Sequence, residues 1–410
     1  MTSDSDPLGD NPRNAPQRRA VGVIFGSRSM EHGVSVLTAH QAIAALDPRK
    51  YDVTAIYITE RGEWLASERI DDVSRFRGLP LDPSEFERAF RSHARQAAIV
   101  PDTTVGGLVT LDAGGLLRRG GQRTRLDVAL LALHGTHGED GSVQGLLELA
   151  GIPYTGSGVL GSALGMDKVA MKDVWRSAGL PVLPYVGLDR HAWESERETE
   201  LDRILAGLTY PIFVKPGSLG SSIGISRTVN REDLGFAIDV AAAYDRRLII
   251  EQGLDGAIDI NCSLLGNDEI SVSQCERPLT FGAFLSYDDK YLRGKAGKAG
   301  PASESPTGGM AAMVRDLPAN IPSEQATRVQ ELAVRAFKAL DCTGLARVDT
   351  LVTLDGDVYL NEINTLPGSL SSYLWEASGI SFAGLLDQMI QLALDRSREK
   401  RRTRYSTVRA

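Results

Sequence analysis

The chain has 410 residues with a formal net charge of −8 and 42% hydrophobic residues, and its length predicts two or three domains with sizeable cores. The negative charge argues against a general binder of nucleic acid or of anionic membranes. No apolar run approaches the roughly 20 residues of a membrane helix. Cys262, Cys275 and Cys342 show no paired or metal-ligand spacing, which indicates a cytoplasmic protein.

The first part of the chain reads as an α/β layer. Residues 1–19 lack the apolar stretch of a signal peptide, and we predict a disordered leader there. Residues 21–25, 51–58 and 127–133 are predicted strands, and a Gly/Ser turn after the first leads into a helical pattern. Strand, turn and helix in this order are typical of an α/β sheet, so residues 20–152 form a predicted N-terminal α/β domain.

Two polar residues follow predicted strands of this domain. Glu31 lies in the turn GSRSMEHGVS after the first strand, and His134 lies in LHGTHGEDG after the strand at 127–133. Sheets of this kind bind ligands at the carboxyl ends of their strands, where a carboxylate could hold the ammonium group of a small zwitterion. The alternatives are that Glu31 sits favourably in the first turn of a helix and that His134 is structural.

A central unit is predicted from residue 153 to residue 250. MDKVAMKDVWRSAGLP predicts a helix that ends at Gly179 and Pro181. Residues 210–216 and 246–252 are predicted strands. Glu251, at the end of the second, is a candidate contact for adenine, although the end of a surface strand would explain it equally well.

The stretch FVKPGSLGSSIGIS carries Lys215 from a strand into a loop with Gly220, Ser221 and Ser222. Backbone N–H groups of such a loop can approach phosphate oxygens closely, because glycine adds no side chain. Lysine precedes the glycines, so the loop is not a Walker loop. A plain hairpin turn is the alternative for the loop taken alone.

Residues 345–368, LARVDTLVTLDGDVYLNEINTLPG, predict a hairpin with Asp355 and Gly356 as a two-residue turn. Side chains alternate along a strand, so every second cross-strand pair shares one sheet face. Counting back from the turn gives three such pairs: Arg347 with Asn364, Asp349 with Glu362, and Leu351 with Leu360.

Like charges placed opposite each other repel, so the pair Asp349 and Glu362 requires an explanation. Two carboxylates beside the carbonyl of Asn364 suit a hard cation such as Mg²⁺, which takes oxygen ligands and shares them with substrate phosphates. A solvated sheet face with Arg347 in a salt bridge is the alternative. Together with the Gly/Ser loop and the lysines at 168, 215 and 290, the hairpin indicates a nucleotide site.

Two further segments complete the chain. Residues 285–315, rich in Gly, Ala, Ser and Lys after DDKY, predict a mobile lid that orders over nucleotide. A linker without a catalytic role is the alternative. Residues 397–410 form a basic tail that we expect to be a solvated end.

From about residue 20 to about residue 395, the chain resembles the D-alanine–D-alanine ligases of the ATP-grasp superfamily. The motifs that carry the resemblance occur in family order: GSRSMEHGVS, HGTHGEDGSVQGLLELAGIPYTGSGVLGSALGMDK, VKPGSLGSSIGIS, DDKY, ARVD and NEINTLPG. The resemblance implies an ATP-grasp fold, α+β in its ATP-binding part. A Rossmann-like substrate domain would precede it, and a C-terminal subdomain at 251–396 would carry hairpin and lid.

The resemblance also implies roles in ATP binding. Lys168 and Lys215 would contact the α and β phosphates under the loop of Gly220 and Ser222. Glu251 and the backbone near Leu254 would bind adenine and ribose, Asp259 is a ribose-contacting acid with a one-residue offset, and Lys290 would neutralise charge.

For the chemistry, the resemblance implies two Mg²⁺ or Mn²⁺ ions on Asp349, Glu362 and Asn364. Arg347 would meet the transferred phosphate and the developing oxyanion. Glu31, Ser221 and Tyr291 match the trio that positions the first D-alanine and closes the lid. The implied reaction forms D-alanyl phosphate and then D-alanyl-D-alanine for peptidoglycan synthesis, in a homodimeric enzyme.

The match departs from the family near the second substrate. SLSSYLW places Tyr373, followed by Leu374, where the family often has Ser or Met followed by Leu or Tyr. A bulky phenol there could reshape the second subsite, so an ATP-grasp ligase that accepts D-lactate, D-serine or another amine is an alternative. A nucleotide-binding protein without ligase activity and a kinase are two further alternatives from other classes.

Overall fold

The computed structural model describes residues 18–67, 76, 79, 82–111, 122–220, 224–279 and 314–404. In these residues the chain forms three main sheets with helices packed on them, and one two-stranded ribbon. None of the described helices combines the length and the apolar composition that crossing a bilayer requires.

The N-terminal sheet contains seven strands, β1 (Arg19–Gly26), β2 (Tyr51–Ile58), β3 (Trp64–Ser67), β4 (Ala94–Ile99), β5 (Gly107–Thr110), β6 (Arg123–Arg125) and β7 (Val128–Leu131). Their order is β6-β5-β4-β3-β2-β1-β7, and β1 pairs in parallel with both β2 and β7. The predicted strands at 21–25, 51–58 and 127–133 are confirmed, although the last ends at Leu131. The helices of this part are α1 (His32–Ala45), α2 (Pro83–Arg91) and α3 (Ser142–Ala150).

The central part begins with α4 (Val159–Met166) and α5 (Lys168–Ser177). Its antiparallel sheet has the strands β8 (Tyr185–Asp189), β9 (Ile212–Pro216), β10 (Ser226–Thr228) and β11 (Arg247–Gln252), in the order β10-β9-β11-β8. Three helices accompany it: α6 (Arg190–Ser195), α7 (Arg197–Gly207) and α8 (Arg231–Tyr244). The predicted helix after MDK and both predicted strands are confirmed.

The C-terminal sheet has the strands β12 (Ile258–Gly266), β13 (Ile270–Val272), β16 (Gly344–Val352) and β17 (Val358–Asn364), in the order β13-β12-β16-β17. Strands β14 (Arg277–Pro278) and β15 (Arg315–Asp316) form the ribbon. Helix α9 (Ser323–Ala339) precedes β16. A 3-10 turn (Gly368–Ser371), α10 (Ser372–Ala377) and α11 (Phe382–Lys400) follow β17.

The hairpin of β16 and β17 has a longer turn than predicted. The backbone N–H of Thr353 donates to the carbonyl of Asp357 at 2.9 Å, which leaves residues 354–356 as a three-residue loop. Gly356 has a φ of 93°, a conformation that glycine adopts without strain. The predicted two-residue turn is therefore wrong.

A β-bulge compensates for that extra loop residue. The pairing shifts between Asp349 and Thr350, so that Leu360 lies opposite Thr350 instead of Leu351, and Asn361 is the additional residue. The extra residue in the loop and the extra residue in the bulge have opposite effects on the cross-strand register, which is therefore restored beyond the bulge. As a result, the predicted pairs Asp349–Glu362 and Arg347–Asn364 are confirmed.

The last helix completes the core of the first sheet. Side chains of β1 alternate between two apolar clusters: Val21, Val23 and Phe25 pack with α1, α2 and α11, whereas Ile24 packs with α3 on the other face. Helix α11 contributes a fully apolar stripe to the first cluster, made of Leu385, Leu386, Met389 and Ile390. N-terminal and C-terminal segments therefore share one hydrophobic core.

Candidate active site

The face of the hairpin that carries Arg347, Asp349 and Asn364 holds a buried ion pair. Nε and a terminal nitrogen of Arg347 donate to the two carboxylate oxygens of Asp349, each at 2.6 Å, and the amide nitrogen of Asn364 donates to the same carboxylate at 3.1 Å. Burial opposes the charge on Arg347, but Asp349 outweighs it and holds the pKa of Arg347 well above its usual range. Arg347 is therefore a permanent cation at the open end of the hairpin.

Glu362, opposite Asp349, lies beside Lys168 at the start of α5. The Lys168 ammonium is 3.3 Å from a Glu362 carboxylate oxygen and donates to the carbonyl of Leu219 at 2.9 Å. The carboxylate of Asp167 caps α5 by accepting from two backbone N–H groups, and it also pairs with Arg247. Lys168 is thus held where it touches both the Gly/Ser loop and the hairpin.

Two buried lysines hold Glu251 in its ionised form. Lys215 on β9 lies 2.5 Å from one carboxylate oxygen of Glu251, and Lys172 contacts the other. Burial would raise the pKa of Glu251, but the two ammonium charges outweigh it and lower the pKa to about 2. Burial lowers the pKa of Lys172 despite its partner. Lys172 was not predicted, although it lies one helical turn after Lys168 on α5, a spacing that could have indicated it.

The bulge residue of β17 also reaches this cluster. The Lys215 ammonium donates to the side-chain oxygen of Asn361 at 3.3 Å. Lys215 therefore joins β9 of the central sheet to β17 of the C-terminal sheet, next to the cleft that Lys168 lines with Glu362 and Asn364 of the hairpin.

Glu31 is the residue that precedes the first turn of α1, but its carboxylate makes no capping hydrogen bond. It packs against two glycines instead. A Cβ atom built at Gly135 would lie 2.5 Å from a Glu31 oxygen, and one at Gly220 would lie 3.0 Å from both oxygens. The Gly/Ser loop therefore closes directly on the N-terminal domain, next to a buried carboxylate.

A second buried carboxylate, Glu139, was missed at the sequence level. Its two oxygens accept from the backbone N–H groups of Gly135 and Leu366, each at 3.0 Å. Burial and the nearby charge of Glu31 raise the pKa of Glu139 to about 8. It ties the loop after β7 to the segment after β17, and with Glu31, Lys168, Glu362 and Asn364 it lines one small cavity.

His134 has both ring nitrogens engaged within the protein. Nδ1 donates to the carbonyl of Leu366 at 2.7 Å, and the hydroxyl of Thr38 donates to Nε2 at 2.8 Å. Burial lowers the pKa of His134 to about 4, which fits this neutral tautomer. The backbone N–H of Ser369 donates to Thr38 at 3.2 Å. His134 therefore positions the segment that contains residues 366 to 369.

The donor set of the hairpin fits a hard divalent cation. Asp349, Glu362 and Asn364 offer only oxygen ligands on one face, as Mg²⁺ requires. Among the described residues there is no group of three or more His, Cys, Asp or Glu that could hold a metal by itself. The remaining ligands would therefore come from phosphate and water.

The other candidates are distributed around this cleft. Asp259 at the start of β12 is close enough to raise the pKa of Lys215, after the larger effects of burial and Glu251. Leu254 follows β11, and the side chain of Leu374 is fully buried. Ser221, Ser222, Lys290 and Tyr291, as well as most of the predicted lid, lie outside the described residues.

Tyr373 belongs to a buried cluster that the sequence did not reveal. Its hydroxyl donates to Glu276 at 2.9 Å, and Arg315 donates to the other oxygen of Glu276 at 2.7 Å. The Arg315 guanidinium lies 3.8 Å from the centre of the Tyr373 ring. Burial and the charge of Glu276 raise the pKa of Tyr373. Tyr373 and Glu276 are close enough to Arg347 to add to the effect of Asp349 in raising its pKa.

An N-terminal α/β sheet, followed by two antiparallel sheets that carry lysines and opposed carboxylates, is the architecture of an ATP-grasp ligase. The family model described as D-ala D-ala ligase N-terminus matches residues 20–157, and the one described as D-ala D-ala ligase C-terminus matches residues 174–391. The chain belongs to the D-alanine–D-alanine ligase family, whose members are ATP-dependent ligases that form a C–N bond.

Individual relatives agree with this assignment. A D-alanine–D-alanine ligase from Bacillus cytotoxicus is 37% identical over 391 residues, which cover 94% of this chain and 98% of the relative. One from Geobacillus thermodenitrificans is 39% identical over 390 residues, covering 94% and 98%. The solved VanG D-Ala:D-Ser ligase from Enterococcus faecalis has a TM-score of 0.76 at 31% identity, over 92% of this chain and all of that one.

Proposed function

We propose that this protein joins two molecules of D-alanine to D-alanyl-D-alanine, with ATP as co-substrate, for peptidoglycan precursor synthesis. The observation that carries the proposal is the opposed pair Asp349 and Glu362, flanked by Arg347 and Lys168, within the cleft of a family member. The curated relatives named D-alanine–D-alanine ligase favour D-alanine as the second substrate over D-lactate, D-serine or another amine.

The reaction proceeds in two steps. A carboxylate oxygen of the first D-alanine attacks the γ-phosphorus, the bond to ADP breaks, and D-alanyl phosphate forms. The amine of the second D-alanine then attacks the acyl carbon, and inorganic phosphate leaves with the electrons of the C–O bond. Arg347 faces the charge that develops in both steps, so catalysis comes mainly from positioning and charge neutralisation.

ATP would lie between the central and C-terminal sheets. Lys168 and Lys215 would contact the α and β phosphates, because both ammonium groups lie beside residues of β17, Glu362 and Asn361 respectively. Glu251 and the backbone near Leu254 would bind adenine, and Asp259 would contact ribose. Gly220 and Ser222 of the loop would cover the phosphates, with Lys290 contributing a further positive charge.

Asp349, Glu362 and Asn364 would hold two Mg²⁺ or Mn²⁺ ions. When bound, such ions neutralise the triphosphate and polarise the transferred phosphoryl group. The oxygen-only donor set supports this assignment, and Arg347 would keep the carboxylate of Asp349 oriented toward the cleft.

The first D-alanine would bind at Glu31, with Ser221 and Tyr291 completing the trio. A carboxylate that is 8% exposed and pressed against Gly135 and Gly220 suits a small ammonium group. The second D-alanine would bind near Tyr373 and the backbone at Leu374. His134 would contribute to the substrate site by holding the segment after β17.

Product analysis tests this function. Purified protein with ATP, Mg²⁺ and D-alanine is expected to release one phosphate per D-alanyl-D-alanine, quantified by mass spectrometry. D-serine and D-lactate serve as competing acceptors. ATP hydrolysis without dipeptide, or phosphorylated D-alanine as the final product, would sink the proposal.

We further propose a homodimer in the cytoplasm, divided into parts at 20–152, 153–250 and 251–396, with a lid at about 285–315. Cys262, Cys275 and Cys342 are buried free thiols, which supports a reducing compartment. Light scattering on the eluting protein, with a mass near twice 44.2 kDa expected, tests the dimer.

A further inference from the structure

Four polar residues form a continuous row across neighbouring strands. Asn261 on β12 pairs with Asp349 on one side, and an isolated bridge pairs it with Glu276 on the other. Asp349 in turn pairs with Glu362. Cross-strand partners point to the same sheet face, so the metal-binding pair continues sideways through Asn261 to Glu276.

Glu276 is rigidly held at the end of this row. It is 1% exposed, with Tyr373 donating to one carboxylate oxygen and Arg315 to the other. The guanidinium of Arg315 also stacks on the Tyr373 ring. Because Arg315 balances its charge, Glu276 acts mainly as a fixed acceptor that orients its neighbours.

One of those neighbours is Asn261. Its amide nitrogen faces the Glu276 carboxylate at 3.5 Å. The flipped amide would turn its oxygen toward that carboxylate and repel it, so Glu276 fixes the orientation of Asn261. The side-chain oxygen of Asn261 is consequently directed away from Glu276.

That oxygen has no partner among the described residues, although Asn261 is only 3% exposed. A buried acceptor without a donor is rare and costly, and it points to a ligand that brings the donor. The carboxylates and phosphates of the reactants bring acceptors. The two metal ions are already assigned to Asp349, Glu362 and Asn364. Of the N–H groups of the reactants, the amino group of adenine is assigned to Glu251 and the ammonium group of the first amino acid to Glu31, which leaves the amine of the second amino acid.

We propose that the side-chain oxygen of Asn261 accepts a hydrogen bond from the amine of the second amino acid and aims its lone pair at the acyl carbon. This inference rests on the proposed function. Glu276, Tyr373 and Arg315 are positioning residues that fix the amide of Asn261. Asn261 takes no proton: the C–N bond forms, the C–O bond to phosphate breaks, and the amine proton leaves with the phosphate.

Asn261→Leu tests the proposal, because leucine has a similar volume and no acceptor. Dipeptide formation should show a rise of about 10-fold or more in the KM for the second D-alanine, the factor expected for one lost hydrogen bond. Positional isotope exchange in ¹⁸O-labelled ATP reports acyl phosphate formation alone. At D-alanine concentrations that fill only the first subsite, the rate of isotope exchange in Asn261→Leu should stay within about 2-fold of the wild-type rate. The Tm should change little, since removal of an unsatisfied buried acceptor offsets loss of the long 3.5 Å hydrogen bond to Glu276.

Asn267→Leu is the matched control. The Asn267 side chain donates to the carbonyl of Leu392 at 3.0 Å, so this change should lower the Tm and leave both KM values unchanged. Tyr373→Phe keeps the ring under Arg315 and removes one bond to Glu276. It should raise the same KM by a smaller factor, and it replaces Asn261→Leu if that variant does not fold.

Two results would overturn the inference: an unchanged KM for the second D-alanine in Asn261→Leu and Tyr373→Phe, or an equal loss in isotope exchange and dipeptide formation. Wild-type protein that makes no dipeptide would instead overturn the proposed function. The two failures are therefore distinguishable.

Discussion

The charged residues of the site are buried together with partners of opposite charge. Arg347 pairs with Asp349, and two lysines pair with Glu251. Removing one partner of such a buried pair typically costs about 3–5 kcal/mol, because the other charge is left uncompensated. Substitutions at these positions therefore mix a loss of folding stability with a loss of activity.

Glu362 offers a cleaner test, because it is partly exposed and its contact with Lys168 is 3.3 Å long. Glu362→Gln should lower kcat by about 10–100-fold, because the amide keeps an oxygen ligand but loses the negative charge that attracts the metal, while the free energy of unfolding changes by less than about 1 kcal/mol. Phosphate release and thermal unfolding measure the two effects. Glu331→Gln, on an exposed position of α9, is the control and should change neither; a Glu362→Gln enzyme within 2-fold of wild type would contradict the metal assignment.

His134 makes stability depend on pH in a defined window. The unfolded histidine titrates near 6.5, whereas burial lowers the pKa of the folded one to about 4. Below pH 6.5 the unfolded state binds a proton that the folded state does not bind. The free energy of unfolding therefore falls as the pH drops from 6.5 toward 4, by about 3 kcal/mol in total.

Urea unfolding at pH 7, 5.5 and 4.5 checks this prediction. His134→Gln should have a lower stability at pH 7 but should lack this component of the pH dependence. His191→Gln, at an exposed position, should retain it. Parallel pH curves for wild type and His134→Gln would contradict a neutral buried imidazole.

Among the elements, the hairpin shows which features can be predicted from the sequence and which cannot. Strand alternation and the Asp-Gly pair were enough to predict that Asp349 faces Glu362. That cross-strand pair holds only because the extra turn residue and the bulge at Asn361 offset each other in the register. The bulge was not predictable, because Asn361 contacts Lys215 of another sheet. Local pattern predicts pairing within one hairpin, but it does not predict contacts between sheets.

The same limit applies to the cluster of Glu276, Arg315 and Tyr373. These residues come from a segment after β13, from β15 and from α10, and no fixed spacing links them. Glu139 lies in the motif LHGTHGEDG, yet only the fold brings its carboxylate to the backbone N–H of Leu366. Long-range packing, not local chemistry, made these residues part of the site.

Two glycine substitutions should affect element stability in opposite directions. Gly356→Ala forces an alanine into a φ of 93° and its Cβ to 2.9 Å from Gln325, so the free energy of unfolding should fall by about 1–2 kcal/mol. Gly145 lies within α3, and no atom lies within 4 Å of the position that a Cβ would take. Gly145→Ala should therefore raise the free energy of unfolding by about 0.5–1 kcal/mol. Denaturant titration compares them, and shifts of equal sign would refute the account.

At the scale of the whole molecule, α11 binds the two ends of the chain together. Lys50 and Tyr51 contact Asp387 at 2.6 and 2.7 Å, and the apolar stripe of α11 enters the core of the first sheet. Truncation after Ile380 should therefore abolish cooperative unfolding of the N-terminal part. Truncation after Arg404 should leave the Tm unchanged. Calorimetry of both proteins measures the difference, and a shortened chain that still melts cooperatively in its first sheet would contradict the shared core.

Helix α11 follows the other described elements along the chain, yet it completes the core of the first sheet, and this affects synthesis. After β7 ends at Leu131, the ribosome must add residues up to Ala393 before the first core can close. At roughly 5–20 residues per second this takes on the order of 15–50 s. During that interval the apolar face of β1 and α1 is exposed to chaperones and proteases. Each newly made chain therefore remains vulnerable until α11 has been synthesised.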